Sequence, residues 1–258
     1  MTDPKDKGII YLVGLGPGGP GYLSPQAADV IDRCDTVVGF RGYIDQAGGL
    51  LDGKEIVSME LGQELERAAR AFDLAKTGHS VAVVSSGDPG IYGMSGPVFQ
   101  VLSDRSWDGE DPRVESVPGV SAIQAAASLL GSPLMQDFCA ISLSDLMTPW
   151  ETIRLRLESA AKGDFVIALY NPRSQRRQWQ ILEARRVIME HRSGGTPVGM
   201  VADAYRAKQR VAITDLESLE ERCPEIDMVT TVIIGNSTTY LHQGRMVTPR
   251  GYEKRKDA

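Results

Sequence analysis

The chain has 258 residues, 42% of them apolar and 24% charged, enough to bury one large core or two of moderate size. A formal net charge of -6 argues against nucleic acid as the main partner, because binding a phosphate backbone relies on a positive field. The longest strongly apolar run, Phe165 to Tyr170, has six residues, far short of the roughly 20 that a membrane-spanning helix needs.

Met1 to Lys7 is polar and lacks the apolar segment of a secretion signal, so the cytoplasm is the expected compartment. A strand from Ile9 to Val13 then runs into Gly14-Leu15-Gly16-Pro17-Gly18-Gly19-Pro20-Gly21. Gly14, Gly16 and Gly19 satisfy the dinucleotide pattern G-x-G-x-x-G, but Pro17 and Pro20 remove two amide donors from the segment that would hold a pyrophosphate. Ser24-Pro25 supplies the N-cap and first-turn pair of a helix to Arg33, too far along to place a helix N-terminus at that phosphate. Backbone this bare reads as a segment that some other ligand approaches closely.

A short strand, Thr36 to Val38, comes before Arg41. Leu65, Ala68, Ala69, Phe72 and Ala75 share one face of a helix between Glu64 and Lys76, and Gly78 stands at its left-handed C-terminal cap. The strand Val81 to Val84 ends in Ser85-Ser86-Gly87-Asp88-Pro89-Gly90. Arg113 to Val117 is closed by Pro118-Gly119, and Ser121 with Gln124 forms a capping box for an Ala-rich helix to Leu130. Gly131-Ser132-Pro133 breaks that helix, which places a first α/β domain at 1–133 and a second at 134–258.

In the second domain Phe138 to Leu143 is a strand. Thr148-Pro149-Trp150-Glu151 is a capping box with proline at the first helical position, opening a helix to about Ala161. Phe165 to Leu169 is a buried strand, Ile181, Ala184, Val187 and Ile188 form a helical stripe, and Val198 to Ala202 is a strand. Thr214 with Glu217 repeats the capping box. Val229 to Ile234, nearly all β-branched, is expected to be central, and Thr239 to Val247 forms a hairpin around Gln243-Gly244 before a charged tail from Glu253. Alternating strands and helices define an α/β fold.

Three glycine-bearing turns sit at strand ends: 14–21, 85–90 and 118–121. In an open α/β sheet the carboxyl ends of strands line one crevice, so the three outline a pocket floor that holds its ligand largely through backbone. Each alone also meets the ordinary conformational need of a strand end. Asp88 suits a ribose hydroxyl, an ammonium group or, as an Asx-turn, its own loop. Arg173, Arg176 and Arg177 follow Tyr170-Asn171-Pro172 at the end of another strand, where arginine near a helix start opposes the macrodipole. Arg173 and Arg176 are therefore candidate grips for substrate carboxylates, whereas Arg177 fits a solvated helical turn. Arg41, Arg206 and Arg210 are further candidates. Of 28 basic side chains 20 are Arg, whose planar fork matches a carboxylate, although Arg-rich codon usage gives the same count. Cys34, Cys139, Cys223, His79, His191 and His242 are dispersed, with no metal-ligand spacing and no Ser-His-Asp triad in view.

The segments Y-L-V-G-L-G-P-G at 11–18, S-S-G-D-P-G-I-Y-G at 85–93, P-G-V-S-A at 118–122, D-F-C-A-I-S-L-S-D-L-M-T-P-W-E at 137–151, Y-N-P at 170–172 and T-T-V-I-I-G-N-S at 230–237 occur in this order along almost the whole chain. Together they resemble the tetrapyrrole methylases. The resemblance implies two α/β domains with S-adenosylmethionine in the cleft between them, a polycarboxylate tetrapyrrole as substrate, and a homodimer. It places cofactor contacts at Gly16, Pro17, Gly87, Asp88, Pro89, Ile91, Ser121, Ala122, Tyr170, Asn171 and Ala204, with Arg41, Arg173 and Arg176 left for the substrate. The segments at 141–150 and 231–237 are most similar to members that methylate precorrin-3B at ring carbon 17 on the cobalamin route, with ring contraction to precorrin-4. Where His-Asp-Phe is associated with that subgroup, this chain has Gln136-Asp137-Phe138, so no acid or base is assigned. Three alternatives stand beside this reading. One is another precorrin methyltransferase. A second is an NADP-dependent oxidoreductase with Arg41 on the extra phosphate, against which the two prolines weigh. The third is a tetrapyrrole carrier, which needs the arginines but not the 85–93 turn.

Overall fold

The computed structural model describes residues 8–252, so the polar N-terminus and the charged tail lie outside the described residues. The chain forms two compact units, 1–122 and 123–258. The first contains β1 (Ile9–Gly14), α1 (Pro25–Arg33), β2 (Thr36–Phe40), α2 (Arg41–Ala47), β3 (Glu55–Met59), α3 (Glu64–Lys76), β4 (Ser80–Ser85), α4 (Ser95–Asp104) and β5 (Arg113–Val117). Its strands are parallel, in the order β3-β2-β4-β1-β5.

Side chains alternate across a strand, so β1 serves two cores at once. Ile9, Tyr11 and Val13 join Val37, Ala82 and Val84 against Ala27, Val30 and Ile31 of α1. Ile10 and Leu12 join Val81 and Val83 against Ala68, Ala71 and Phe72 of α3 and Val98, Val101 and Leu102 of α4. Burial on both faces is why these strands read as continuous apolar runs. The Ser24 hydroxyl accepts the Ala27 N–H at 3.1 Å, as the cap of α1 requires, and Gly78 takes φ +92° beyond α3.

The second unit takes in α5 (Ala122–Leu130) from its second residue, then β6 (Gly131–Ser132), β7 (Phe138–Ser142), α6 (Trp150–Lys162), β8 (Val166–Tyr170), α7 (Gln180–Met189), β9 (Pro197–Ala202), β10 (Arg210–Asp215), α8 (Leu219–Arg222), β11 (Thr230–Ile234), β12 (Tyr240–His242) and β13 (Arg245–Val247). The main sheet has the order β10-β9-β11-β8-β7, which puts the β-branched β11 in the centre. β7 and β8 are parallel, while β11 runs antiparallel to both β8 and β9. The carboxyl ends of β7, β8 and β9 therefore share one sheet edge.

Residues of α6 and α7 cover one face of this sheet, packing Ile153, Leu157, Ile181 and Val187 against Ile167, Leu169, Val232 and Ile234. The other face belongs to α5, whose Ile123, Ala126, Ala127 and Leu130 meet Val166, Ala168, Val201 and Ile233. Gly199 makes room for that contact, since a Cβ there would come within 2.4 Å of a Leu130 methyl. The Ala-rich helix thus packs on the second sheet, and the division between units falls after Ala122, whereas the sequence placed the domains at 1–133 and 134–258. Gly131 does end the helix, but the chain then enters β6, which pairs with β13.

Two caps differ from expectation. α6 begins at Trp150 with Pro149 extended before it and no side-chain cap bond, so Thr148 does not cap. At the second, Asp215 replaces Thr214: its Oδ1 accepts the Ser218 N–H at 2.8 Å, and bonds from Ser218 hold its carboxyl below the usual range. The β12–β13 turn has φ +47° at Gln243 and +72° at Gly244, the two positive values a type I′ hairpin needs.

No helix among the described residues is long and apolar enough to cross a membrane. Burial pushes the Cys34 thiol up to about 12, Cys139 to about 11, and Cys223 upward as well. A disulfide-exchange reagent at mildly alkaline pH is expected to label all three slowly in the folded protein and fully in urea. Rapid stoichiometric labelling of folded protein would contradict these environments.

Candidate functional site

Because β4, β1 and β5 are neighbours, the three glycine turns of the first unit emerge side by side. They are built into one another. The Leu15 N–H donates to the Ser85 carbonyl at 2.8 Å, and Gly16 and Gly87 exchange N–H···O bonds of 3.1 and 2.7 Å. Gly14 and Gly119 meet backbone to backbone: a Cβ on Gly119 would lie 2.2 Å from the Gly87 oxygen and 2.9 Å from Gly14 Cα. Those two glycines are therefore required by packing between turns, a role that the sequence reading of bare backbone did not include. Gly14, Leu15, Gly16 and Pro17 are all buried. Gly16 and Gly87 adopt φ +70° and +69°, a region that favours glycine.

Asp88 makes its Asx-turn and also reaches beyond it. One carboxylate oxygen accepts the Gly90 N–H at 2.8 Å and the other accepts Gly119 N–H at 3.0 Å, tying the β4 turn to the β5 turn. The β4 turn closes on itself, with Met94 N–H donating to Ser85 Oγ and Ser95 N–H to the Pro89 carbonyl. Pro89 is buried, while Ile91 and Tyr92 are exposed and Tyr92 holds φ +55°, rare for a bulky side chain. Ser121 is buried at the foot of the set, next to Ala122. No motif points to Gln46, whose Nε2 donates to the Gly16 carbonyl at 3.0 Å and the Leu15 carbonyl at 3.4 Å. It sits on α2, a helix with no capping side chain to announce it.

In the second unit, the Tyr170 hydroxyl accepts the Ile123 N–H at 2.9 Å and so holds the first turn of α5. Asn171 has φ +50° and donates through Nδ2 to Ser142 Oγ at 3.0 Å. Ala204 lies between Asp203 and Tyr205, at φ +49° and +60°. Strained non-glycine backbone thus gathers at the carboxyl ends of β8 and β9, a pattern associated with functional sites.

The arginines divide. Arg177, expected in solvent, is 7% exposed and donates to the Leu143 and Asn171 carbonyls at 3.2 and 2.9 Å, so it is a buried tie between loops. Arg173 makes longer bonds of 3.4 Å to the Ile226 carbonyl and Gln178. Arg41 pairs with Glu60, Arg206 lies 3.9 Å from Asp203, and Arg210 pairs with Asp227 at 2.8 Å. Arg176 is exposed, with no hydrogen bond or ion pair among the described residues. Gln136 donates to the Pro249 carbonyl and accepts from Asn236 Nδ2 at 3.1 Å, so its amide fastens the C-terminal segment. Among the described residues no three His, Cys, Asp or Glu side chains gather as a metal site.

An all-parallel sheet with interlocked turns at three adjacent carboxyl ends, followed by a mixed sheet with strained loops on one edge, defines an α/β ligand-binding enzyme of two units. The profile of the Tetrapyrrole (Corrin/Porphyrin) Methylases matches residues 9–220, and the chain belongs to this family of methyltransferases. It is 45% identical over 250 residues to the cobalt-factor III methyltransferase of Priestia megaterium, covering 96% of this chain but 46% of that protein, so it spans about half of that relative. A probable cobalt-factor III C(17)-methyltransferase of Salmonella typhimurium is 41% identical, with 95% of this chain and 99% of the relative covered. The crystal structure of the methyltransferase CobJ superposes with a TM-score of 0.89 at 32% identity, covering 94% of this chain and 100% of CobJ. The uroporphyrin-III C-methyltransferase of Thermus thermophilus, crystallised with S-adenosylhomocysteine, gives 0.68 at 26% identity over 88% of this chain and 97% of its own.

Proposed function

We propose that the protein transfers a methyl group from S-adenosylmethionine to ring carbon 17 of a polycarboxylate tetrapyrrole on the cobalamin route, with contraction of the ring. The observation that carries this reading is the 41% identity across 99% of the Salmonella relative, whose name states transfer at C(17). That name makes cobalt-factor III the first acceptor to test, with precorrin-3B beside it. A homodimer in the cytoplasm completes the proposal.

The donor contacts proposed in the first unit are Gly16, Pro17, Gly87, Asp88, Pro89, Ile91, Ser121 and Ala122, and in the second Tyr170, Asn171 and Ala204. Gly87 fits such a role: its φ favours glycine, yet a Cβ there would meet nothing closer than 3.6 Å. When bound, S-adenosylmethionine supplies a methyl already activated by its sulfonium. The protein's own work is to align the reactants and exclude water, effects that reach about 7–11 kcal/mol in well-oriented systems. Turns held by their own hydrogen bonds are preorganised for that task. The carboxylate grips proposed are Arg41, Arg173 and Arg176, of which Arg176 has no bond among the described residues to give up.

Incubation with donor and each acceptor, followed by mass and absorption spectra, tests the reading; a protein that binds NADP and not S-adenosylhomocysteine would end it. Asp88 acts here mainly by positioning Gly90 and Gly119. Asp88→Asn sets an amide N–H2 against one backbone N–H. S-adenosylhomocysteine titration should then show affinity about tenfold weaker, equivalent to about 1.4 kcal/mol, with cooperative unfolding retained. Unaltered affinity would remove Asp88 from the donor site.

A further inference from the structure

Leu146 and Met147 are 81% and 90% exposed, the most exposed large apolar side chains among the described residues. Single exposed apolar residues need no explanation, but a consecutive pair on a held loop does. The loop is fixed at both ends. Leu143 is buried and its N–H donates to the Tyr170 carbonyl at 2.9 Å, Ser144 N–H donates to Ser142 Oγ, and Asp145 accepts from the buried Gln180 at 3.0 Å. On the far side Trp150 packs edge-on against Trp179, ring centroids 4.7 Å apart. The neighbouring loop after β8 is bonded to this one through Arg177 and the Leu143 carbonyl, and the next residue along is the unpaired, exposed Arg176.

We infer that Leu146 and Met147 form an apolar plate that covers the flat face of the tetrapyrrole, while Arg176 takes a carboxylate on its rim. This rests on the proposed function. A ring that is apolar across its face and anionic at its edge matches an apolar tip beside a free guanidinium, and the flexible Met147 thioether adapts to a planar surface. None of the proposed donor contacts lies within residues 143–149.

The test is the Leu146→Ser/Met147→Ser double variant of the full chain. Uroporphyrin III serves as the polycarboxylate macrocycle, followed by its Soret band, and S-adenosylhomocysteine is titrated separately by calorimetry. The expected result is macrocycle affinity at least about tenfold weaker, with S-adenosylhomocysteine affinity and sedimentation behaviour unchanged. In turnover, KM for the acceptor rises more than kcat falls. Macrocycle affinity within about twofold of the parent would overturn the inference. So would a change of oligomeric state in the variant, which would make the tip a contact between copies. A parent protein that fails to bind S-adenosylhomocysteine overturns the methyltransferase reading itself, and is distinguishable because that titration does not involve the loop.

Discussion

Replacing Arg192 by alanine is expected to cost at least about 2 kcal/mol of unfolding free energy, since a buried acceptor left without its donor costs about 1–3 kcal/mol. Its side chain is 2% exposed and donates to three carbonyls: Ala161 at 3.1 Å, Gly235 at 3.0 Å and Phe165 at 2.9 Å. It also pairs with Asp164 at 3.1 Å, while Asp164 accepts from both the N–H and the hydroxyl of Ser237. The ends of α6, β8 and β11 are thus joined through one guanidinium. Truncation strands three carbonyls, of which those of Ala161 and Gly235 are buried, and a buried acceptor left without its donor bears its full desolvation penalty. Arg192→Lys keeps the charge but not the fork, so it should fall between the parent and Arg192→Ala. Urea unfolding followed by circular dichroism gives the comparison, and a loss below about 1 kcal/mol for the alanine variant would show that the carbonyls find other partners.

Gly119→Ala should harm both stability and donor binding. The added methyl would sit 2.2 Å from the Gly87 oxygen, and that atom is backbone and has no rotamer to escape into. Overpacking of this kind costs about 1–3 kcal/mol, and a displacement of about 1 Å at a site of alignment is enough to cost about a hundredfold in rate. S-adenosylhomocysteine affinity should drop by at least about tenfold, alongside a lower urea midpoint. Gly96→Ala is the control: it lies in α4 with nothing within 4 Å of the new methyl, and alanine there should stabilise by about 0.5–1 kcal/mol. If the Gly119 variant binds donor like the parent, the interlocking of the turns has no part in the site.

β1, β4, β8, β9 and β11 were legible because burial on both faces makes their residues apolar throughout, whereas β5 and β7, partly exposed edge strands, were marked by the turns that close them and by their β-branched and aromatic residues. β3 and β10 passed unread. They are edge strands whose residues are only partly buried and which, unlike β5 with its Pro118-Gly119, end in no glycine-proline turn, so their identity as strands comes from the neighbour they pair with. α2 and α4 begin without a capping side chain, after Phe40 and Met94, and gave no start signal. The three turns were legible as positions, since glycine and proline mark them. Their engagement with one another was not, because it follows from strand order, which brings residues 14, 87 and 119 together. Arg177 was misread for a similar reason: its partner Leu143 lies in a different loop, and local helix electrostatics says nothing of it.

The interlocked turns have an evolutionary corollary. Gly14, Gly87 and Gly119 cannot drift one at a time, since the turns that carry them are bonded and packed together, so the proposed donor end is conservative by construction. The loops after β7 and β8 carry no such mutual constraint at their tips, and diversification toward new acceptors is free to proceed there. If the loop after β7 contacts the acceptor as inferred, transplanting residues 144–149 from a relative should redirect which macrocycle is methylated while leaving the methyl source alone.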